Sequence, residues 1–460
     1  MNGLPTNPER EDVLRFISAS TSYGNLVLFI GSGFSKAIIN DMVTGGALSW
    51  GELLEEACKK LGVDYRNIIK DGMSYPERAT EICNEISIKM KKSYRDAVNE
   101  LKNAIADLTN WYPQRTKIET FSGYLNALCP SCIITTNYDL VVESLLLGKS
   151  FPLGPSDQLV YPRGVVPVFH LHGIRTNPAE IIITQEDYIA LFRPNEYRQH
   201  KLPLIVKEST VLFLGYGLGD VNVLTALDWS RNVFNDGRNN YPHEVIQVLR
   251  KTKPVEHPYR DKNDILLFEV DEIEKFFSDF SKIRSEEIDK EEIEKKNRQE
   301  LLEKLKVADQ GTVEKFLDNY EFRKGIIKQL ASFPNHLAAG FISFFERCIN
   351  ETYERARPRN AFEAYDQRLT IILDVLTGFD VDNIPPALFQ IAAYSLEMVS
   401  YFVGRNKGQS FSAAATWERR KHQLSSNMVK DLFNYSKRYN YIDLSSLITP
   451  LNQSLLAKEK

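Results

Sequence analysis

The sequence predicts an α/β protein, with a parallel sheet that carries a helical insertion, followed by an all-helical C-terminal domain. Short apolar runs rich in Val, Ile, Leu and Phe recur through the first 270 residues. They lack polar–apolar alternation, which is typical of strands covered on both faces of a parallel sheet. A long helical stretch separates the first two runs, and helical patterns follow the last one.

Seven apolar runs are predicted to be strands, each followed by a loop. They are Leu26–Ile30, Ile133–Thr136, Val166–Leu171, Ile181–Thr184, Val211–Leu214, Glu244–Leu249 and Ile265–Val270. Residues from about 50 to 128 are predicted to form a helical insertion in the first crossover. Ser49 precedes it and Glu52 follows three residues later, a pattern that favours a capping box at a helix start.

The composition changes after residue 280. The stretch Ser285–Lys306 is dense in Glu and Lys, often four residues apart, and this spacing predicts an exposed helix. Helical patterns continue beyond it, with a break at Pro385 and Pro386. We therefore expect an α/β domain over residues 1–284 and a helical domain over residues 285–460.

The composition also argues against several classes of function. Lys and Arg number 57 and Asp and Glu number 61, so no strong overall field favours direct nucleic-acid binding or an acidic membrane surface. No apolar run approaches the roughly 20 residues that span a bilayer. Five cysteines without a secretory signal argue against a disulfide framework, and we expect a cytoplasmic protein.

The first candidate site is the loop Gly31-Ser32-Gly33-Phe34-Ser35, directly after the first predicted strand. Glycines allow the backbone to approach a phosphate, and a following helix offers free N–H groups and its dipole. The loop lacks the Gly-Lys-Ser/Thr ending of a P-loop, and Lys36 stands where a dehydrogenase fingerprint has its third glycine. On these residues alone, a phosphate loop and a plain strand–helix turn are equal alternatives.

The second candidate site is Thr136-Asn137-Tyr138-Asp139, at the end of the second predicted strand. Open α/β sheets bind ligands at the carboxyl ends of their strands, so polar side chains here favour a binding site. The alternative is that Asn137 and Asp139 only cap the next helix.

The third candidate site contains His170 and His172, in the segment Val-Phe-His-Leu-His-Gly. Residues two apart in a strand point the same way, so His170 is expected to lie deeper and His172 nearer the mouth of a site.

The fourth candidate is the turn Gly215-Tyr216-Gly217, where glycines relax the backbone beside a ligand. Asp220, which follows it, either caps a helix or holds a sugar hydroxyl.

In this order, the four motifs closely resemble those of the sirtuin-like NAD-binding superfamily. They resemble its bacterial, defence-associated branch more than its protein deacylases. The resemblance covers about residues 24–270 and implies a Rossmann-like sheet that binds NAD. It implies that the loop Gly31, Ser32, Gly33, Phe34 and Ser35 cradles the pyrophosphate.

The resemblance also implies roles around the nicotinamide riboside, which Thr136, Asn137, Tyr138 and Asp139 would surround. Asn137 would order the ribose or the attacking water, and Asp139 would hold the carboxamide. His172 would contact the ribose hydroxyls and act as a base. The turn Gly215, Tyr216 and Gly217 would lie against the phosphates and the adenosine ribose, with Asp220 as a further cofactor-binding residue.

Two departures from the deacylase pattern bear on the reaction. Deacetylating sirtuins carry two Cys-x-x-Cys pairs, whereas this chain has one, Cys129 to Cys132. Structural zinc needs four ligands, so we expect no metal. The segment Pro-Asp-Phe-Arg of that family is also missing, which argues against a peptide cleft.

The resemblance therefore implies an NAD glycohydrolase that releases nicotinamide and ADP-ribose in antiphage defence by NAD depletion. Such an activity needs gating, which we expect from the helical domain through a homo-oligomer, a HerA-type ATPase or another defence partner. Two alternatives stay open: a sensor of NAD or ADP-ribose, and an NAD-dependent deacylase. A pure sensor has no need for the pair Asn137 and His172, and the missing zinc ribbon disfavours a deacylase.

Overall fold

The computed structural model describes residues 4–39, 46–70, 72–191, 197–217, 243–357, 362–403 and 410–458. The chain divides into two compact units, Met1–Asp289 and Lys290–Lys460. The first unit contains the sheet and the second consists of helices. The predicted class, a Rossmann-like α/β fold followed by a helical C-terminal region, is thereby confirmed.

A sheet of eight strands lies at the centre of the described part of the first unit. The strands are β1 Leu26–Ile30, β2 Cys132–Thr135, β3 Ser150–Leu153, β4 Val166–His170, β5 Thr210–Leu214, β6 Val245–Arg250, β7 Tyr259–Arg260 and β8 Leu266–Val270. Their order is β3-β4-β2-β1-β5-β6-β8-β7. Neighbours are parallel except for β7 and β8. Strands β1, β5 and β8 are buried along their whole length, which explains their unbroken apolar sequences.

Strand β1 marks the point at which the strand order reverses. It pairs with β2 on one side and with β5 on the other. In open α/β sheets, ligands bind in the crevice at the carboxyl ends of the strands beside such a point. The loops after β1, β2, β4 and β5 meet at this edge, so the fold brings the four predicted motifs together.

Six of the seven predicted strands are present, with ends that differ by no more than one residue. The prediction for Ile181–Thr184 is wrong, because this segment is irregular chain after the 3₁₀ turn Pro178–Glu180. Ile181 and Ile183 pack into the core of the helical insertion instead. A short buried apolar run has the same sequence pattern in both settings. The sequence does not predict the edge strands β3 and β7, which are only partly buried.

Helices cover both faces of the sheet and form the insertion. They are α1 Arg10–Tyr23, α2 Ser32–Ile39, α3 Trp50–Leu61, α4 Tyr65–Ile68, α5 Tyr75–Met90, α6 Tyr94–Leu108, α7 Arg115–Leu128, α8 Val141–Leu146, α9 Gln185–Leu191 and α10 Tyr197–Glu208. Helices α3, α5 and α6 share an apolar core of their own, whereas Phe121 and Leu125 of α7 belong to the core beneath the sheet. The insertion is therefore formed by α3 to α6, and α7 is the crossover helix. The predicted capping box of Ser49 and Glu52 is present at the start of α3.

The second unit is a bundle of helices around one large apolar core. The helices are α11 Ile273–Lys306, within which the two units divide, then α12 Gln310–Asp318, α13 Tyr320–Ala331, α14 Asn335–Ala338, α15 Ile342–Ala356, α16 Phe362–Gly378, α17 Pro386–Val403, α18 Phe411–Arg420, α19 Ser426–Arg438 and α20 Ile442–Lys458. The charged stretch Ser285–Lys306 is helical and mostly exposed, as its charge spacing predicts. Among the described helices, none has both the length and the apolar character that a membrane crossing requires.

Candidate active site

A cavity of about 230 Å³ lies at the carboxyl edge of the sheet, beside the end of β1. Four strand ends and the helical insertion contribute to its wall. The lining residues are Gly31, Ser32, Leu48, Trp50, Leu53, Tyr75, Thr109, Trp111, Thr136, Asn137, Tyr138, Asp139, His172, Tyr216 and Gly217. Three candidate catalytic residues, Asn137, Asp139 and His172, therefore share one cavity.

The loops after β1 and β5 touch each other backbone to backbone. The N–H of Gly33 donates to the carbonyl oxygen of Gly215 at 2.8 Å. A Cβ on Gly33 would lie 2.7 Å from that oxygen, and a Cβ on Gly215 would lie 2.0 Å from the nitrogen of Phe34. Gly215 also has a φ of +60°, in the left-handed region that favours glycine. Gly33 and Gly215 thus allow the two loops to pack together, and neither lines the cavity.

The two residues after Gly33 also lie away from the cavity wall. Phe34 is fully buried and packs edge-on against Phe121 and Phe277, so its side chain belongs to the apolar core. Ser35 is fully buried, and its hydroxyl is hydrogen-bonded to Asn137 and Asp139, which line the cavity. Asp220, the remaining predicted cofactor residue, lies outside the described residues.

A buried hydrogen-bond network joins the first glycine loop to the loop after β2. The hydroxyl of Ser35 donates to the Asp139 carboxylate at 3.0 Å and accepts from the side-chain amide of Asn137 at 3.1 Å. Asp139 also accepts from the N–H of Val141 at 3.1 Å, near the start of α8. Asp139 therefore caps the start of α8 and also lines the cavity, and its role as a site residue stays a prediction.

Asp139 titrates unusually close to neutral pH. It is 4% exposed, and burial raises its pKa to about 6. The bonds from Val141 and Ser35 oppose this rise, while the charge of Glu143 adds to it and that of His170 lowers it. The carboxyl is consequently still mostly ionised at physiological pH, but a modest fall in pH neutralises it.

The two histidines of β4 and its following loop occupy different depths, as their spacing predicts. His170 is completely buried, with Nδ1 2.9 Å from the carbonyl oxygen of Asn137 and Nε2 2.7 Å from Oε1 of Glu143. His172 lines the cavity and is 2% exposed. The hydroxyl of Tyr188 lies 3.3 Å from its Nε2.

The sequence does not predict the aromatic wall of the cavity. Trp50 and Tyr75 of the helical insertion line it, together with Trp111, which follows the insertion. The ring of Trp50 stacks on Tyr75 at 5.2 Å between centroids and lies 5.9 Å from the ring of His172. The chain has four tryptophans, and the presence of two of them near the ends of the insertion is the available sequence signal.

Two contacts attach the insertion to the sheet edge. Nζ of Lys36, on α2, lies 2.6 Å from Oε2 of Glu52 on α3. Lys36 and the capping interactions with Ser49 lower the pKa of Glu52 to about 2. Tyr138 packs in the insertion core, and its hydroxyl donates to the carbonyl of Ile182 at 2.9 Å. Tyr138, predicted as a cofactor residue, therefore lines the cavity while its hydroxyl is bound to protein.

Within the part of the chain that the structure describes, no group of three or more His, Cys, Asp or Glu residues is placed to hold a metal ion. Cys129 is exposed, whereas Cys132 is buried in β2. Burial raises the pKa of the Cys132 thiol to about 12, so it stays protonated at neutral pH.

The reversal of strand order at β1, the glycine loop and the cavity define a Rossmann-like domain with its candidate site at the usual ligand-binding edge. Residues 131–267 match the family of SIR2-like domains. This part of the chain is therefore similar to SIR2-like domains, and the predicted resemblance to the sirtuin-like superfamily is confirmed.

The curated relatives of the chain include two NAD(+) hydrolases and a defence-associated sirtuin. An NAD(+) hydrolase ThsA of Cytobacillus dafuensis is 23% identical over 239 residues, which are 51% of this chain and 44% of that protein. The ThsA of Bacillus cereus (strain MSX-D12) is 22% identical over 245 residues, or 52% and 47%. Defense-associated sirtuin 2 of Bacillus subtilis is 23% identical over 137 residues, or 28% and 13%. The chain thus spans less than half the length of these relatives.

Proposed function

We propose that the chain is an NAD glycohydrolase, which cleaves NAD to nicotinamide and ADP-ribose and acts in antiphage defence by depleting NAD. The observation that carries this proposal is the meeting of Asn137, Asp139 and His172 at one cavity beside the first glycine loop. The names of the relatives, two NAD(+) hydrolases and a defence-associated sirtuin, support the reaction and its setting.

The residues at the cavity fit one end of a dinucleotide. The cavity volume of about 230 Å³ is below the roughly 300–1,000 Å³ of pockets that enclose drug-sized ligands. Gly31 has no room for a side chain, since a Cβ there would lie 2.6 Å from the oxygen of Gly215 and 2.7 Å from the ring of Tyr216. The N–H groups of Gly33 and Phe34 at the start of α2 already donate to the carbonyls of Gly215 and Gly31. Gly31 and Ser32 line the cavity at this helix start, and the helix dipole there suits a pyrophosphate.

The proposed reaction breaks the bond between the nicotinamide nitrogen and C1′ of the ribose. The bonding electrons neutralise the pyridinium, so the leaving group needs no general acid. Positive charge develops on the ribose, as in other glycosidic cleavages. The oxygen of a water then bonds to C1′, and its proton passes to His172 as general base. Asn137 orders the ribose or the water, and Asp139 binds the carboxamide.

We also propose that the helical unit controls the NAD cleavage. This control would act through a homo-oligomer, a HerA-type ATPase or another defence partner. Tyr394, Met398 and Tyr401 of α17 are 51%, 41% and 43% exposed. Their spacing of four and three residues places them on one helix face. Tyr and Met are enriched at the cores of protein interfaces, so this face supports assembly.

Product analysis tests the reaction. Full-length protein is incubated with NAD, alone and with the proteins encoded beside it, and the products are separated by chromatography. Equal amounts of nicotinamide and ADP-ribose are expected. Intact NAD under every condition would favour the sensor.

Light scattering on the full chain and on residues 1–289 tests the assembly, which loss of the helical unit should abolish.

A further inference from the structure

His170 lies beneath the candidate site and is absent from the cavity wall. Both of its ring nitrogens face oxygen atoms: the carbonyl of Asn137 at 2.9 Å and the Glu143 carboxylate at 2.7 Å. A carbonyl oxygen only accepts hydrogen bonds, so Nδ1 carries a proton. The other ring nitrogen, Nε2, faces the carboxylate of Glu143, which in its charged form also requires a hydrogen-bond donor at Nε2.

The surroundings of Glu143 favour the charged pair. Its side chain is 13% exposed, and its Oε1 lies 2.7 Å from Nε2 of His170, which compensates the carboxylate charge when it is protonated. A buried carboxylate is stable only beside a compensating charge. Burial lowers the pKa of His170, but Glu143 and the carbonyl of Asn137 outweigh it, and the pKa is raised overall.

The hydrogen bond from His170 completes the fixation of Asn137. The N–H of Asn137 donates to Oγ1 of Thr135 at 3.0 Å, and its side-chain amide donates to Ser35 at 3.1 Å. Without His170, the Asn137 carbonyl is a buried acceptor with no donor at this position. The loop would then relax, and the amide would leave its place at the cavity.

We infer that His170 is a positioning residue for the cleavage: its imidazolium, anchored on Glu143, holds the backbone of Asn137 and thereby directs the Asn137 amide at the ribose. This inference rests on the proposed function. The charged groups that act on His170 are Glu143 and Asp139, and those that act on Asp139 are Glu143 and His170. The positive charge of His170 thus also favours the ionised form of Asp139.

Two substitutions separate the hydrogen bond from the charge. In His170→Asn, the side-chain amide keeps a donor near the position of Nδ1, whereas His170→Leu removes both donors. We expect His170→Leu to lower kcat roughly 100-fold, as small misplacements near a reacting centre do, with KM for NAD little changed. His170→Asn should recover most of that loss. The His170→Asn variant lacks the positive charge, so the pKa of Asp139 rises. The acid limb of the pH–rate profile of this variant therefore moves to higher pH.

The matched control is His257→Asn. His257 forms a similar pair with Glu9, at 2.9 Å, but its side chain is 61% exposed. This variant should retain the turnover and the pH profile of the parent. If His170→Leu is folded by circular dichroism and keeps full kcat, or if His170→Asn shows an unshifted acid limb, the positioning role is refuted.

Nitrogen NMR tests the ion pair independently of activity. The chain has seven histidines, and the full-length protein is labelled with ¹⁵N in their rings. One ring that keeps both nitrogens protonated to a higher pH than an unperturbed histidine, because its pKa is raised, and whose signals vanish in His170→Asn, is expected. A ring that loses its second proton no later than an unperturbed histidine refutes the inference even where NAD is cleaved. Failure of the parent to cleave NAD, with this signal present, refutes the proposed function and with it the positioning role, but not the ion pair.

Discussion

Each unit of the molecule contains a buried ionic cluster, and the two clusters have different surroundings. In the α/β unit, His170 pairs with Glu143. In the helical unit, Arg323 and Arg420 each donate to Asp374 at 2.7 Å. All five side chains are at most 13% exposed.

The difference between them lies in what each cluster holds in place. Arg323 also donates to the carbonyls of Phe316 and Leu317, so the Asp374 cluster joins α13, α16, α18 and the end of α12 inside one core. His170 instead contacts the backbone of Asn137, whose side chain lines the cavity. Burial and charge are common to both clusters, and the connection to a cavity distinguishes the candidate functional one.

The largest effect is expected at the cavity itself. Asn137→Ala and His172→Ala should each lower nicotinamide release by about 100- to 10,000-fold, the range for a positioned acid–base group. Because the two residues act as one unit, the double variant should be little worse than either single one. Chromatography measures the release, and calorimetry should show that NAD affinity largely persists. Full turnover in both single variants would remove this pair from the mechanism.

Asp374→Ala should affect stability alone. It leaves two buried guanidinium groups without their carboxylate, and breaking a buried pair in this way costs about 3–5 kcal/mol. Denaturant unfolding measures the loss, with turnover per folded molecule expected to stay constant. Asp318→Ala is the control, since Asp318 pairs with Arg355 but is 56% exposed, and such pairs contribute about 0–1 kcal/mol. Equal losses in the two variants would contradict the structural role of burial.

Asp139→Asn should separate stability from activity at one position. The folded-state pKa of about 6 exceeds the ordinary value of 3.8, so the folded site prefers the neutral carboxyl. The stability that this group contributes is present below pH 4 and is lost as the pH rises through 6. At pH 7 the asparagine variant should be more stable by up to about 3 kcal/mol, and turnover should fall. Unfolding measured from pH 4 to pH 7 checks the sign, and a less stable variant at pH 7 would contradict it.

The smallest effect concerns the packing of the two glycine loops. Gly33→Ala places a Cβ 2.7 Å from the oxygen of Gly215, and overpacking of this kind costs about 1–3 kcal/mol. Gly217→Ala is the control, because none of the residues that the structure describes lies within 4 Å of its added Cβ. Thermal unfolding should give Gly33→Ala a lower melting temperature than the parent and than Gly217→Ala. A Gly33→Ala protein as stable as the parent would show that the loops separate easily.

The sequence predicts the meeting of the four motifs because parallel strands align their carboxyl ends. That rule places Asn137 and His172 on one edge without knowledge of any contact. The rule does not give the direction of each side chain. Phe34, for example, lies within the glycine motif, but its side chain turns into the core. The rule also does not show how the insertion folds back, and the contribution of Trp50 to the cavity appears only in three dimensions.

The position of β1 at the centre of the sheet has a consequence for synthesis on the ribosome. Leu26 pairs with Thr210, which is translated 184 residues later, and at about 5–20 residues per second the delay is roughly 10–40 s. Helices α3 to α6 have their own core and can form during this time. A nascent chain that ends before Gly217 lacks one wall of the cavity. An activity proposed to harm its own cell would therefore arise only when the catalytic unit is nearly complete.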